Sequence, residues 1–387
     1  MRRAQLHEKL ATTTVERRVR APEAGEKDLR ELRDLPGVWA NVDPANPKGA
    51  TPFGGRGWNC IALPFINPNP APAPEGGTAP RPLDYRLLVN QFNEVLRFDI
   101  VDDKVPNRGV TLDHSRQVDQ FVVSLDYEQV VRQIGVDDNP PSDHRGGEGV
   151  DGPFIHHEPG LFLNMVDDPT TPVNPFGVAR LGSVPHGDAL MALGTARERT
   201  LPADPDEDDL LGMNPIIPEF PGLPIGVPGT IETSRYLTPY KHFHDAFFKG
   251  VYDPTQPTAL LKRNGPGFTN TPFAPARKIL RTTEFVFDTT FGTGGIHNIP
   301  FVVSQANASE MKFQMWIMEL EADDPNDEPI MVLQYAQLVF LDFFPRFDGG
   351  TGPIRWPHVS INTLMKFPDE PALPVPDPAP TGLPYED

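Results

Sequence analysis

Ten histidines and a single cysteine, Cys60, are the side chains best suited to bind a metal or move a proton. Four histidine groups stand out by spacing. The first is His156-His157-Glu158-Pro159-Gly160. Adjacent residues on a strand face opposite ways, so one of the two rings at most enters a cavity unless the segment is a turn. His156, His157 and Glu158 are candidates for acid/base work; the structural alternative is a polar strand opening whose Glu158 pairs with an arginine. The second group, His242-Phe243-His244-Asp245, has the H-x-H spacing that puts two rings on one face of a strand. A neighbouring carboxylate would complete a two-histidine, one-carboxylate metal set. The same residues also suit an amphipathic surface turn. The third is Trp356-Pro357-His358-Val359-Ser360-Ile361-Asn362-Thr363-Leu364, where His358 opens a strand and shares its face with Ser360 and Asn362. An imidazole held there can ligate iron or act as an acid/base. The fourth, Pro185-His186-Gly187-Asp188, reads as a turn whose histidine bonds to backbone. No G-x-S-x-G, Walker A or G-x-G-x-x-G motif is present to support a serine hydrolase or nucleotide enzyme.

The elements that position these groups are strands. Among 387 residues, 47 prolines and 33 glycines argue against long helices and coiled coils. Leu29, Leu32 and Leu35 have helical spacing and close a short N-terminal arm, residues 1–34, stopped by Pro36-Gly37. From there the pattern has period two. Strands are expected at Val38-Trp39, Trp58 to Leu63, Tyr85 to Phe92, Glu94 to Val101, Gln120 to Val131, Ile155 to Met165, Val178 to Val184 and Ala189 to Gly194. Further strands are expected at Ile279 to Phe287, Glu310 to Glu321, Ile330 to Phe344 and His358 to Phe367. Pro/Gly-rich loops occupy Asn67 to Pro82 and Asp137 to Pro153. Arg197 to Asp209 reads as an acidic loop or linker, Asn214 to Gly229 as a proline-punctuated crossing, and Thr230 to Pro275 as the least regular stretch. Residues 368–387 form a Pro-rich acidic tail. Many short strands with turns between them predict an all-β antiparallel barrel or sandwich, in one domain over residues 35–367.

The charge of −19 narrows the partners. Phosphate binding needs clustered Lys and Arg, so nucleic acid is not expected, and anionic membranes are disfavoured for the same reason. Cys60 has no second cysteine with which to form an internal disulfide. The basic N-terminus lacks the apolar stretch of a signal peptide, and no run reaches the ~18 apolar residues of a membrane span. A soluble cytoplasmic protein of unassigned oligomeric state is expected.

Several segments, in order, resemble the nitrobindin-like haem proteins, calycin-type barrels related in shape to fatty-acid-binding proteins. Leu35-Pro36-Gly37-Val38-Trp39 resembles their opening strand, and Gly57-Trp58-Asn59 its glycine-rich continuation. Asn93 to Phe98 and Ile155 to Phe162 resemble two internal strands, and Trp356 to Leu364 is similar to the closing strand. The chain resembles more closely a larger bacterial group of haem-binding proteins, through Asn298 to Phe301, Asn307 to Met311, Phe313 to Ile317 and Leu333 to Gln337. The resemblance implies a barrel of about ten strands, haem b as cofactor and His358 as axial iron ligand. Met315, Trp316 and Tyr335 would serve as cofactor-binding wall. It implies peroxidase-like, nitric-oxide or peroxynitrite chemistry, with His156, His157, His242 and His244 as distal candidates. The chain is longer than the nitrobindins, with an insertion about residues 195–280 that could cap the barrel or fill its pocket. Two other functions fit the residues: a metal-free carrier or cyclase for an apolar small molecule, and a non-haem metal enzyme built on His242 and His244.

Overall fold

The computed structural model describes residues 29–44, 51, 53–66, 83–141, 154–167, 175–265, 277–346 and 348–367. Most of the N-terminal arm, the Asn67 to Pro82 loop, most of the Asp137 to Pro153 loop and the acidic tail lie outside them.

Twelve strands form one antiparallel sheet: β1 (Gly37–Ala40), β2 (Gly57–Ile66), β3 (Leu83–Val110), β4 (Gln117–Asn139), β5 (Phe154–Asp167), β6 (Val178–Val184), β7 (Asp188–Thr200), β8 (Ile279–Asp288), β9 (Gly295–Asn298), β10 (Asn307–Leu320), β11 (Ile330–Pro345) and β12 (Pro353–Phe367). The sheet closes on itself because β12 pairs with β2, Ser360 opposite Asn59. The result is a ten-stranded barrel, β2 through β8 followed by β10, β11 and β12. Strand β1 occupies the same position as β2, end to end with it. Trp39 lies opposite both Lys366 of β12 and Leu96 of β3. Strand β9 pairs with β7 at Asp188 to Met191, beyond the stretch of β7 that pairs with β8. Closure removes the edges that an open sheet would expose.

The barrel and its approximate strand number agree with expectation, and several boundaries move. Tyr85 to Phe92 and Glu94 to Val101 are one strand, β3, bent by a register shift between Gln91 and Phe92. The acidic loop expected from Arg197 starts only after Thr200, because β7 runs on along β8. Strand β12 begins at Pro353, so His358 sits inside it rather than at its start. Between β7 and β8 lie short helices α1 (Glu207–Gly212), α2 (Thr238–Asp245) and α3 (Pro257–Arg263); α4 (Pro300–Gln305) precedes β10. The expected N-terminal helix is, in its described part, a 3-10 turn at Arg30–Asp34.

Two large apolar clusters divide the work of the core. One fills the closed end of the barrel, with Phe98, Leu125, Phe162, Phe285, Phe287, Met315 and Leu333. Leu29, Leu32 and Leu35 of the N-terminal turn plug that end, none more than 2% exposed. The other cluster lies on the outer wall. Trp58, Cys60 and Ala62 of β2 and Val359 and Ile361 of β12 pack there against Tyr236, Tyr240, Phe243 and Tyr252 of the insertion. The insertion therefore roofs the side of the barrel. None of its described residues lines the interior pocket.

Candidate functional site

Alternation along the strands decides what the barrel encloses. On β2 the apolar Trp58, Cys60 and Ala62 face the insertion, while Asn59, Ile61 and Leu63 face inward. On β12, His358 and Ser360 face inward and Val359 and Ile361 outward. The interior above the apolar plug is a cavity of two lobes. One, about 260 Å³, is lined by Asn59, Asn90, Gln129, Gln133, Tyr335 and Ser360 among others. The second, about 350 Å³, is walled by Leu190, Ile296, Val302, Met311, Val339 and Leu341 among others. Ile61, Leu63, His156, His186, Gln337 and His358 line both. The larger lobe alone, and the two together, fall within the usual volume of ligand pockets.

Three histidines from three separate motifs thus meet at one junction. His358 Nδ1 lies 2.9 Å from the Cys60 carbonyl oxygen. A carbonyl only accepts, so Nδ1 carries the proton and Nε2 keeps its lone pair. Nε2 has no protein partner among the described residues. Burial, partly offset by the Cys60 hydrogen bond, lowers the imidazole's pKa to about 4, and the charges of His156 and His186 add to the effect. His358 is therefore neutral at neutral pH. The His156 and His186 rings are 6.1 Å apart. His186 reaches the cavity because its turn is fastened from outside. The Gly187 carbonyl accepts from Ile299 N at 3.0 Å. A Cβ at Gly187, where φ is +103°, would stand 2.5 Å from Ile299. Burial and the charge of His156 lower the pKa of His186 as well.

Behind His156 is a buried ionic cluster. Glu158 is 1% exposed and Arg180 3%. Arg180 Nη2 donates to Glu158 Oε1 at 2.8 Å, and Tyr127 Oη donates to the same oxygen. Arg180 also donates to Gln337 Oε1 at 2.8 Å and stacks over Phe313 at 4.3 Å. The other carboxylate oxygen of Glu158 faces His156 Nε2 at 3.2 Å. Burial opposes the Glu158 charge, but Arg180, His156 and Tyr127 together outweigh it and hold the carboxyl at about 2. The ionised carboxylate only accepts, which fixes the proton of His156 on Nε2. Two glycines make room. Gly160 and Gly182 face each other across β5 and β6. A Cβ at Gly182 would lie 2.6 Å from Glu158 Oε1, and one at Gly160 2.6 Å from the Tyr127 ring. Deeper in the barrel, burial raises the pKa of Glu94, which bonds Tyr335, Gln129 and Asn362.

The structure separates the expected site residues. His156, Glu158, His358 and Tyr335 line the cavity. His157 faces outward, with Nε2 2.7 Å from Glu128 Oε1 and its side chain 46% exposed. Its place in the acid/base set is corrected by the strand's alternation. Met315 is buried in the apolar plug below the cavity. Trp316 points to the outer wall, where its indole Nε1 donates to Glu284 Oε1 at 3.0 Å, so it is not a cavity wall. His242 and His244 lie on helix α2, where a spacing of two puts side chains about 200° apart. They share no face, and His244 is tied to Asp253 Oδ2 at 2.9 Å. Among the described residues no group of three or more His, Cys, Asp or Glu is placed to hold a metal ion. The residues that spacing missed are Arg180, Tyr127, Glu94, His186 as a cavity group, and the amides of β2 to β4. No helix among the described residues is long and apolar enough to cross a membrane.

No family model, curated protein or solved structure matches the chain.

Proposed function

We propose that the barrel binds haem b in its interior, with His358 as axial ligand, and that its chemistry is peroxidase-like or handles nitric oxide or peroxynitrite. The observation that carries this reading is the His358 ring. It is neutral, oriented through Nδ1 by the Cys60 carbonyl, and presents an Nε2 without protein partner at a cavity junction. A backbone carbonyl on the far nitrogen is how ligating histidines are commonly fixed in tautomer and direction. The residues fit the group in one further respect. Ile61, Leu63, Val339 and Leu341 offer apolar wall to a flat macrocycle. Among the described residues no Lys or Arg lines either lobe, and Glu158 and Asp188 line the larger one, so haem's carboxylates would have to point to solvent. Bound haem would supply one-electron and peroxide chemistry at iron.

The chain's own groups have separate tasks. Cys60, through its carbonyl, orients His358. Glu158, anchored by Arg180 and Tyr127, holds a proton on His156 Nε2 and leaves Nδ1 of that ring to accept one. A metal-free carrier of an apolar molecule would use the same walls and need no axial nitrogen.

Haem reconstitution followed by absorption spectroscopy separates the two. A Soret band that is lost in His358→Ala, with far-UV circular dichroism unchanged, is the expected result. Absence of the band in the native chain, or its persistence unaltered in His358→Ala, overturns the haem reading.

A further inference from the structure

The smaller lobe has a chemical character that iron ligation does not explain. Among the described residues no Asp, Glu, Lys or Arg lines it. Part of its polar wall is a chain of three amides from three neighbouring strands. Gln133 Nε2 donates to Asn90 Oδ1, and Asn90 Nδ2 donates to Asn59 Oδ1 at 2.7 Å. The three residues are 7%, 4% and 8% exposed, so all are buried in the barrel wall. The chain has two open ends, the Asn59 amino group and the Gln133 carbonyl. Neither has a protein partner among the described residues, and both stay accessible to the lobe. Reversing all three amides exchanges the ends but leaves one donor and one acceptor.

The open donor on β2 and the open acceptor on β4 lie two strand spacings, about 10 Å, apart, so a ligand head meets one or the other, and a group able both to donate and to accept suits either. A hydroxyl or a carboxamide is such a group. A carboxylate cannot donate, an ammonium cannot accept, and either would lose its water without gaining a counter-charge. The adjoining lobe, walled by Leu190, Ile296, Val302, Met311, Val339 and Leu341, takes the apolar remainder of the same molecule. We propose that the amide lobe is a binding site for the uncharged hydroxyl or carboxamide end of an amphiphilic small molecule whose chain lies in the apolar lobe. The inference goes beyond haem binding and requires no iron.

The test is displacement of a neutral apolar fluorophore from haem-free protein by three probes of equal chain length: decanol, decanoate and decylamine. Decanol is expected to bind at least about tenfold more tightly than either charged probe. Asn90→Leu should abolish that preference. Asn90→Asp, nearly the same shape, should shift it toward decylamine, and circular dichroism shows whether each variant is folded. Equal or tighter binding of decanoate, no displacement by any probe, or an order unchanged in Asn90→Asp overturns the inference. Haem titration of the same preparation keeps the two readings apart. Soret formation without decanol binding removes only the amide site, and decanol binding without a Soret band removes only the haem site.

Discussion

Glu158 and Arg180 carry a large electrostatic risk, since each is a nearly fully buried charge paired with the other. Removing one partner of such a pair typically costs about 3–5 kcal/mol, because the other is left uncompensated. Glu158→Gln should therefore lower unfolding stability at neutral pH by about that amount, as read from urea midpoints. The pH dependence has a definite sign. The Glu158 carboxyl titrates at about 2 in the folded chain, below the ~4.3 of an unfolded glutamate. Its contribution, about 3 kcal/mol, is fully present above the unfolded value and is lost as pH falls through ~4 toward 2. Glu94 acts in the reverse direction, because burial raises its pKa and so favours its neutral form in the fold. The difference between native protein and Glu158→Gln should narrow as the pH is lowered below 4. A difference of constant size would show that Glu158 does not work through its charge.

Strands β2 and β12 each have two chemistries, and the alternation separates them. The outer face is apolar because the insertion covers it; the inner face holds amides and His358 because it borders a cavity. Trp58 shows the consequence. It is 4% exposed, stacks on Tyr252 at 5.6 Å and meets Phe248 edge-on at 5.9 Å, all outside the barrel. Trp58→Ala should cost about 3–5 kcal/mol, the usual price of a large aromatic truncated in a core. Ligand uptake by the folded variant should remain near native. A variant with intact stability but impaired uptake would place the indole at the cavity instead. Period two showed that such faces exist on β12, with Ser360 and Asn362 sharing the His358 side. It did not show which face would be inside. The polar face is inside here because the apolar one has a better partner in Tyr240, Phe243 and Tyr252.

At the scale of the whole molecule, the barrel and the insertion form one packed unit. The outer cluster contains residues of β2, β3, β10, β11 and β12 together with those of the crossing and of α2 and α3. Three of the four tryptophans, Trp58, Trp316 and Trp356, lie in that cluster, and Trp39 lies in the inner one. Fluorescence therefore reports the outer wall, while far-UV circular dichroism reports the strands. Urea unfolding followed by the two signals should give coincident midpoints, as expected of a single cooperative unit. Separate midpoints would mean that the insertion folds as a unit of its own.

The sequence by itself determined the all-β class, the positions of most strands and the histidine motifs worth watching. These rest on local signals: period-two patterning, proline and glycine punctuation, and the spacing of adjacent residues. It also implied that His156 and His157, if their segment is a strand, could not both enter one cavity. Only the tertiary structure decided that His156, His186 and His358 meet, because closure of β12 onto β2 brings together residues some two hundred positions apart in the chain. Only it showed why Gly160 and Gly182 are glycines, since the atoms that a Cβ would strike belong to Tyr127, Leu181 and Glu158. Arg180 gave no signal, because an isolated arginine on a short strand becomes a buried counter-charge only when a carboxylate from the neighbouring strand arrives beside it.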